Sequence, residues 1–156
     1  MDTPRPYHLL FVCTANICRS PMAEGLAQAA ADRRGMQMIC RSGGVMGLRD
    51  KPAADNAIRA MAEVGVDIHG HLSRGVYSED VDWADYILVM ESRHARKLRS
   101  RYAHSADKTL ELASFGGMTE IRDPVNGWMF RFRRCRSDLQ RCIDTFVDQL
   151  PPIRHR

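Results

Sequence analysis

His8-Leu9-Leu10-Phe11-Val12-Cys13-Thr14-Ala15-Asn16-Ile17-Cys18-Arg19-Ser20-Pro21-Met22-Ala23-Glu24-Gly25-Leu26-Ala27 reads as a strand, a tight loop and a helix in immediate succession. His8 to Val12 is a short buried strand, and Pro21 to Ala27 opens a helix with Pro in its first turn and Glu24 near the positive end. A loop between such elements aims successive backbone N–H groups at one point, and the helix N-terminus adds its partial positive charge. A dianion is thereby held with few side chains. Arg19 supplies a planar fork that pairs with two phosphate oxygens at once. Cys13, at the strand end in the same positive field, is placed to attack phosphorus as a thiolate, with the Ser20 hydroxyl stabilising its sulfur. The phosphate-binding set is therefore Thr14, Ala15, Asn16, Ile17, Cys18, Arg19 and Ser20. A bare Cys and Arg at this spacing is weak by itself, since a buried structural Cys beside a helix-capping Arg reads the same way. The strand before it and the Ser-Pro helix after it favour the functional reading.

Outward from this stretch, Gly35 is a helix stop and Met36 to Arg41 a second strand, with a loop from Ser42-Gly43-Gly44 to Pro52. Ala53 to Val64 is helical and closed by Gly65; Asp85 to Met90 is a third, fully buried strand; and Ser92 caps a helix running to about Arg101. Lys108 to Ala113 gives a fourth strand and Trp128 to Leu150 contains the last helix. Strands alternating with helices predict an α/β fold, one three-layer domain around a parallel sheet. The 156 residues suit one domain, with residues 1–6 and 151–156 expected as flexible tails.

The net charge of +4, with 20 Arg against 3 Lys, favours anionic ligands. The densest basic stretch, Arg131-Phe132-Arg133-Arg134-Cys135-Arg136, is not read as a nucleic-acid site. Phe132, Cys135, Leu139, Cys142, Ile143, Phe146 and Leu150 recur at helical spacing, which leaves most of these arginines on a wet face. No apolar run behind a basic stretch and no segment near ~20 apolar residues is present, so a soluble protein of the cytoplasm is expected, without membrane contact. Five cysteines, an odd number, do not suggest a disulfide framework. Cys40 reads as a strand core residue, and Cys135 and Cys142, about 10.5 Å apart along a helix, cannot pair with each other.

The motif Val12-Cys13-x-x-Asn16-Ile17-Cys18-Arg19-Ser20-Pro21 resembles the signature of the low-molecular-weight protein tyrosine phosphatase family. Arg41-Ser42-Gly43-Gly44, His71-x-x-Arg74, Ala84 to Glu91 and Asp123-Pro124 fall in the order of that family's other landmarks. The resemblance implies a four-stranded parallel sheet of flavodoxin-like order, with the ligand beyond the carboxyl ends of the strands. It implies hydrolysis of phosphotyrosine proteins, a tyrosine kinase or its targets among them, through a phosphocysteine, without metal or other cofactor, by a monomer or weak dimer. Expulsion of a phenolate requires a general acid, and Asp123, stiffened by Pro124, is the candidate by chemistry and by family position. The alternative for that pair is an ordinary Asp-Pro turn.

Asn16 is either a residue tolerant of positive φ or a side chain tying the loop to its neighbours. The resemblance places Ser42 and His71 near it as supporting partners; otherwise His71 is a plain loop histidine. Cys18 is a small core filler or, as the resemblance favours, a thiol that traps oxidised Cys13 as a disulfide. Arsenate reductases of the same fold need two further relay cysteines, and residues 41 to 134 contain none. Protein arginine phosphatases resemble this loop but carry Thr where Ile17 stands, and an apolar wall favours an aromatic phosphate ester. A small phosphorylated metabolite, and a phosphate- or phosphoprotein-binding module with little turnover, remain alternatives; the module needs neither the thiol nor the acid. The resemblance implies aromatic residues where Leu48, Val125 and Asn126 stand; Trp128, Tyr77 or Met46 could substitute for that ring wall, or aliphatic walls could contact a ring at some loss of stacking energy, and Trp128 is equally suited to anchor the last helix in the core.

Overall fold

The computed structural model describes residues 5–151. Four strands, β1 (Tyr7–Cys13), β2 (Met38–Gly44), β3 (Tyr86–Val89) and β4 (Thr109–Glu111), form one all-parallel sheet in the order β2-β1-β3-β4. Five α-helices accompany them: α1 (Arg19–Arg33), α2 (Asp55–Ala62), α3 (Ser78–Trp83), α4 (Ser92–Arg101) and α5 (Met129–Asp148).

Alternation along β1 divides the interior. Leu9, Phe11 and Cys13 face a core shared with α1, α2 and α5, whereas Leu10 and Val12 face a second core with Val81 of α3 and Leu98 of α4. β3 divides likewise, Leu88 to the first face and Ile87 and Val89 to the second. A strand buried on both faces has no polar alternation, which is why β1 and β3 read as continuous apolar runs. On α5, Phe132, Cys135, Leu139, Cys142, Ile143 and Phe146 are buried as their spacing predicts, and Leu150 packs partly buried behind them. Arg133 and Arg136 reach across from α5 to Glu63.

The second strand is misplaced in the sequence reading. β2 begins at Met38 and runs through Ser42-Gly43-Gly44, which had been expected as loop, with Cys13 opposite Gly44 in the ladder. A Cβ on Gly44 would lie 2.6 Å from the Thr14 carbonyl oxygen and 3.0 Å from the Asn16 nitrogen, so glycine here allows β2 to press against the loop backbone rather than marking a turn. The fourth strand is shorter than Lys108 to Ala113, because Leu112–Gly116 turns into a 3₁₀ segment that buries Leu112 and Ala113. Helix α3 has no counterpart in the sequence reading, being short and held by one buried carboxylate: Asp80 accepts from the Tyr77 N–H at 2.8 Å and pairs with Arg74 at 3.0 Å. Gly35 and Gly65 end their helices at φ 64° and 76° as expected.

Of the expected tails, residues 1–4 and 152–156 lie outside the described residues, while Arg5 is tied to Asp85 by two hydrogen bonds of 3.0 and 2.6 Å. No helix among the described residues is long and apolar enough to cross a membrane.

Candidate active site

β1 lies between β2 and β3, so the chain leaving its carboxyl end enters the crevice where crossovers diverge to the two faces of the sheet. Cys13 ends that strand and Arg19 begins α1, so residues 14–18 form the loop over the crevice. Asn16 makes the turn in the left-handed region, φ 62°, and its backbone N–H points to Cys13 Sγ at 3.3 Å. Its side chain is fully buried and engaged at both ends. Oδ1 accepts from the Arg74 N–H at 3.1 Å, while Nδ2 donates to Ser20 Oγ at 2.7 Å and to Ser42 Oγ at 2.9 Å. Both readings of Asn16 therefore describe one residue. Because Ser20 Oγ accepts from Asn16, its own hydrogen is left to donate to Cys13 Sγ, 2.9 Å away.

His71 reaches the same loop, its Nε2 donating to the Asn16 carbonyl at 2.7 Å. Burial lowers its pKa against the raising effect of that carbonyl. Val45 and Met46, just past β2, donate to the carbonyls of Cys13 and Thr14 at 3.0 and 2.9 Å. The loop is thus braced mostly by main chain.

Arg19 is 1% exposed. Its Nη1 donates to Glu91 Oε2 at 2.6 Å and to the Ile121 carbonyl at 2.8 Å, while Nη2 lies 3.4 Å from Thr14 Oγ1 and 3.6 Å from Asp123 Oδ2. Partial burial would raise the Glu91 pKa, but hydrogen bonds from Arg93 and Arg19 outweigh it and hold the carboxyl at about 2. Asp123 sits on a turn in which its Oδ1 accepts the Val125 N–H at 3.0 Å, and the strand below is stitched to this turn by the Ile121 N–H on the Met90 carbonyl at 2.9 Å.

Thr14 Oγ1 has a third set of neighbours. His94, fully buried, accepts the Glu91 N–H at Nδ1, so its Nε2 carries the hydrogen and donates to Thr14 Oγ1 at 2.9 Å. Arg93 Nη2 donates to the same oxygen at 3.0 Å. Burial, with Arg19 nearby, lowers the His94 pKa to about 4 and keeps the ring neutral.

Cys13, Thr14, Ala15, Ile17, Cys18, Arg19, Asp123 and Val125 line a hollow of about 210 Å³. The candidates for nucleophile, anion-binding arginine and acid therefore meet in one place. Ile17 and Val125 provide apolar wall. Burial, reinforced by Asp123 and Cys13, pushes the Cys18 thiol up to about 12, so it rests protonated. A larger hollow of about 590 Å³, lined by Glu24, Asp32, Cys40, Asp67 and His71 among others, lies behind the loop and contains no such pairing of nucleophile and cation. Cys40 is only half-buried, at the edge of the core, and burial raises its pKa.

The expected substitutes for a ring wall do not serve. Trp128 is 79% exposed and anchors nothing in the core, and neither it nor Tyr77 or Met46 lines the hollow. Glu91, Arg93 and His94 were missed. Their signal was a carboxylate directly after a fully buried strand, where a strand neighbouring β1 must deliver its next residue beside the loop.

A family model described as "Low molecular weight phosphotyrosine protein phosphatase" matches residues 8–152. A protein-arginine-phosphatase of Geobacillus stearothermophilus is 33% identical over 147 residues, 93% of this chain and 97% of that protein. The low molecular weight protein-tyrosine-phosphatase Etp of Escherichia coli K12 is 32% identical over 142 residues, covering 91% and 93%. The crystal structure of a low molecular weight protein tyrosine phosphatase from T. tengcongensis superposes with a TM-score of 0.88 at 34% identity, covering 92% of this chain and 99% of that one.

Proposed function

The chain belongs to the low molecular weight phosphotyrosine protein phosphatase family, and from that premise we propose that it hydrolyses phosphotyrosine in proteins through a phosphocysteine formed on Cys13. One observation carries the assignment of roles: Cys13, Arg19 and Asp123 line a single small hollow, with Ser20 Oγ 2.9 Å from the sulfur.

In the first step the Cys13 sulfur forms a bond to phosphorus as the ester P–O bond breaks, and Asp123 gives its proton to the departing phenolate oxygen. Arg19, aimed by Glu91, and the loop amides hold the phosphoryl oxygens as charge shifts onto them. In the second step the same Asp123 carboxylate takes a proton from water, water oxygen bonds to phosphorus and the S–P bond breaks, returning the thiolate and inorganic phosphate. Ser20 donates to the sulfur when it is negatively charged at the start and again as leaving group. Thr14, Ala15, Ile17 and Cys18 complete the cradle, Asn16 fixes its shape, and Ser42 and His71 support Asn16. When a peroxide oxidises the Cys13 thiolate to a sulfenic acid, the Cys18 thiol attacks that sulfur, the S–O bond breaks, water leaves and a disulfide forms. This chemistry requires reduced thiols, and the five free cysteines are in keeping with a cytoplasmic setting.

Phosphoarginine is the second reading, favoured by the 33% identity to a protein-arginine-phosphatase. Ile17 speaks for the first, because its apolar side chain on the hollow wall suits an aromatic ring and offers no hydrogen bond to a guanidinium. The test is steady-state hydrolysis of an aryl phosphate, a phosphotyrosine peptide and a phosphoarginine peptide by the wild type and by Cys13→Ser. Hydrolysis of the first two by the wild type alone is expected; preference for phosphoarginine supports the second reading, and turnover by Cys13→Ser removes Cys13 as nucleophile.

A further inference from the structure

Asp123 has two sides. One faces Cys13, and the other forms part of a second hollow, about 260 Å³, lined by Arg122, Pro124, Phe130, Arg131, Arg134, Cys135 and Asp138. Elsewhere on α5 the arginines have partners: Arg133 and Arg136 lie 2.9 and 2.8 Å from Glu63, and Arg141 lies 3.9 Å from Asp138. Among the described residues, Arg122, Arg131 and Arg134 have no carboxylate within ion-pairing distance, although all three are on the surface. The two carboxylates of the hollow are already directed elsewhere, Asp123 toward Arg19 at 3.6 Å and Asp138 toward Arg141. Three arginines without an ion-pair partner thus line one concavity.

The position of Arg131 is built into the turn after the acid. Asn126 takes φ 60°, the Gly127 N–H closes on the Pro124 carbonyl at 2.8 Å, and a Cβ on Gly127 would lie 2.5 Å from Arg131 Cδ. The aliphatic stem of Arg131 therefore fills the space that a side chain at 127 would occupy, packed against the turn that follows Asp123. Phe130, 61% exposed, adds an apolar flank. Such a cationic, partly apolar recess next to the reacting group suits a short acidic side chain rather than an extended apolar one.

Resting on the proposed phosphotyrosine activity, we propose that the recess formed by Arg122, Arg131 and Arg134 receives an acidic side chain of the substrate protein a few residues from its phosphotyrosine. Consecutive Cα atoms are about 3.8 Å apart, so a substrate segment crossing Asp123 brings neighbouring residues over the recess while its phosphate sits on the loop. Recognition acts before and during the chemistry alike, so it appears in KM more than in kcat.

The experiment compares phosphotyrosine peptides in which one Glu is moved through the positions flanking the phosphotyrosine, each against its Ala counterpart. For the wild type, at least one position is expected to raise kcat/KM about 5-fold at low salt, through KM, with the gain shrinking as ionic strength rises. In R131A/R134A the Glu-to-Ala ratio at that position falls to about one, a comparison made within one enzyme and so independent of any general loss of activity. Equal kcat/KM for every Glu and Ala pair in the wild type overturns the recess, and so does a ratio that persists in R131A/R134A. Failure of the wild type to hydrolyse any of these peptides while it hydrolyses a phosphoarginine peptide overturns the phosphotyrosine reading, and this inference with it.

Discussion

Glu91 Oε2 lies 2.6 Å from Arg19 Nη1, in a site where the arginine is 1% exposed. An almost fully buried guanidinium without its hydrogen-bonded carboxylate is costly: the Ile121 carbonyl and Thr14 hydroxyl are neutral acceptors, and Asp123 stands farther off, 3.6 Å from Nη2. Glu91→Ala is expected to lower stability by about 3 kcal/mol, and inorganic phosphate is expected to raise the Tm of the variant more than that of the wild type, because the anion then supplies the missing charge. Thermal melts with and without phosphate check this. Equal shifts would show that Arg19 had found another partner.

Asp123 tests the proton. Asp123→Asn is expected to slow hydrolysis of phenyl phosphate by about 10²–10⁴-fold. An ester with a strongly acidic leaving group, which departs without help, loses much less in single-turnover phosphorylation. Equal losses for the two esters would assign the acid elsewhere.

His94 makes stability depend on pH. Its folded pKa is depressed to about 4 from an ordinary value near 6.5, so the unfolded chain binds the proton first. The stability it allows is present above about pH 6.5, declines as pH falls and is fully lost below about 4. Between pH 7.5 and 4.5 the loss is on the order of 2–3 kcal/mol. Glu24 runs the opposite way: burial raises its pKa to about 7, so it costs stability as pH rises. The two offset each other in the wild type. Denaturant unfolding of wild type and His94→Asn at both pH values isolates the histidine: the stability gap between them should shrink by that amount at pH 4.5, and a pH-independent gap contradicts the assignment.

Val125 tests the rim. It lines the hollow beside Asp123 without a ring to stack, and an aromatic pair is worth about 0.5–1.5 kcal/mol beyond buried area. Val125→Tyr is expected to lower KM for an aryl phosphate about 2- to 10-fold with little change in kcat. An unchanged KM would mean that the ring of the substrate leaves the hollow by another side.

The strand-loop-helix at Val12 to Pro21 was legible because each part has its own chemical signature: an apolar run, a nucleophile with an arginine, a proline at a helix start. Cys13, Arg19, Ser20 and Asp123 lie together as the sequence suggested, since the roles proposed for them constrain residue type. Contacts set by tertiary approach were not legible. Gly43-Gly44 read as a loop because glycine marks turns more often than it marks a strand pressed against another backbone. Helix α3 depends on the single buried Asp80, which no periodicity reveals. Trp128 reads equally as ring wall or core anchor because it stands in phase with Phe132, Cys135 and Leu139, but it lies just before the first helical residue with extended backbone, φ −69° and ψ 165°, and so leaves that face for solvent.

That outward Trp128 makes the molecule its own optical instrument. The chain has two tryptophans, and the other, Trp83, is stacked on His8 at 4.4 Å between ring centroids with the Arg41 guanidinium over it at 4.0 Å. One indole is bathed in water five residues beyond Asp123, and the other packs against an imidazole and a guanidinium near the amino end of β1. Their emission should separate in wavelength and in accessibility to a collisional quencher. Fluorescence from Trp128 can then follow the Asp-Pro turn as an oxyanion arrives, while Trp83 reports the integrity of the sheet, with no dye attached.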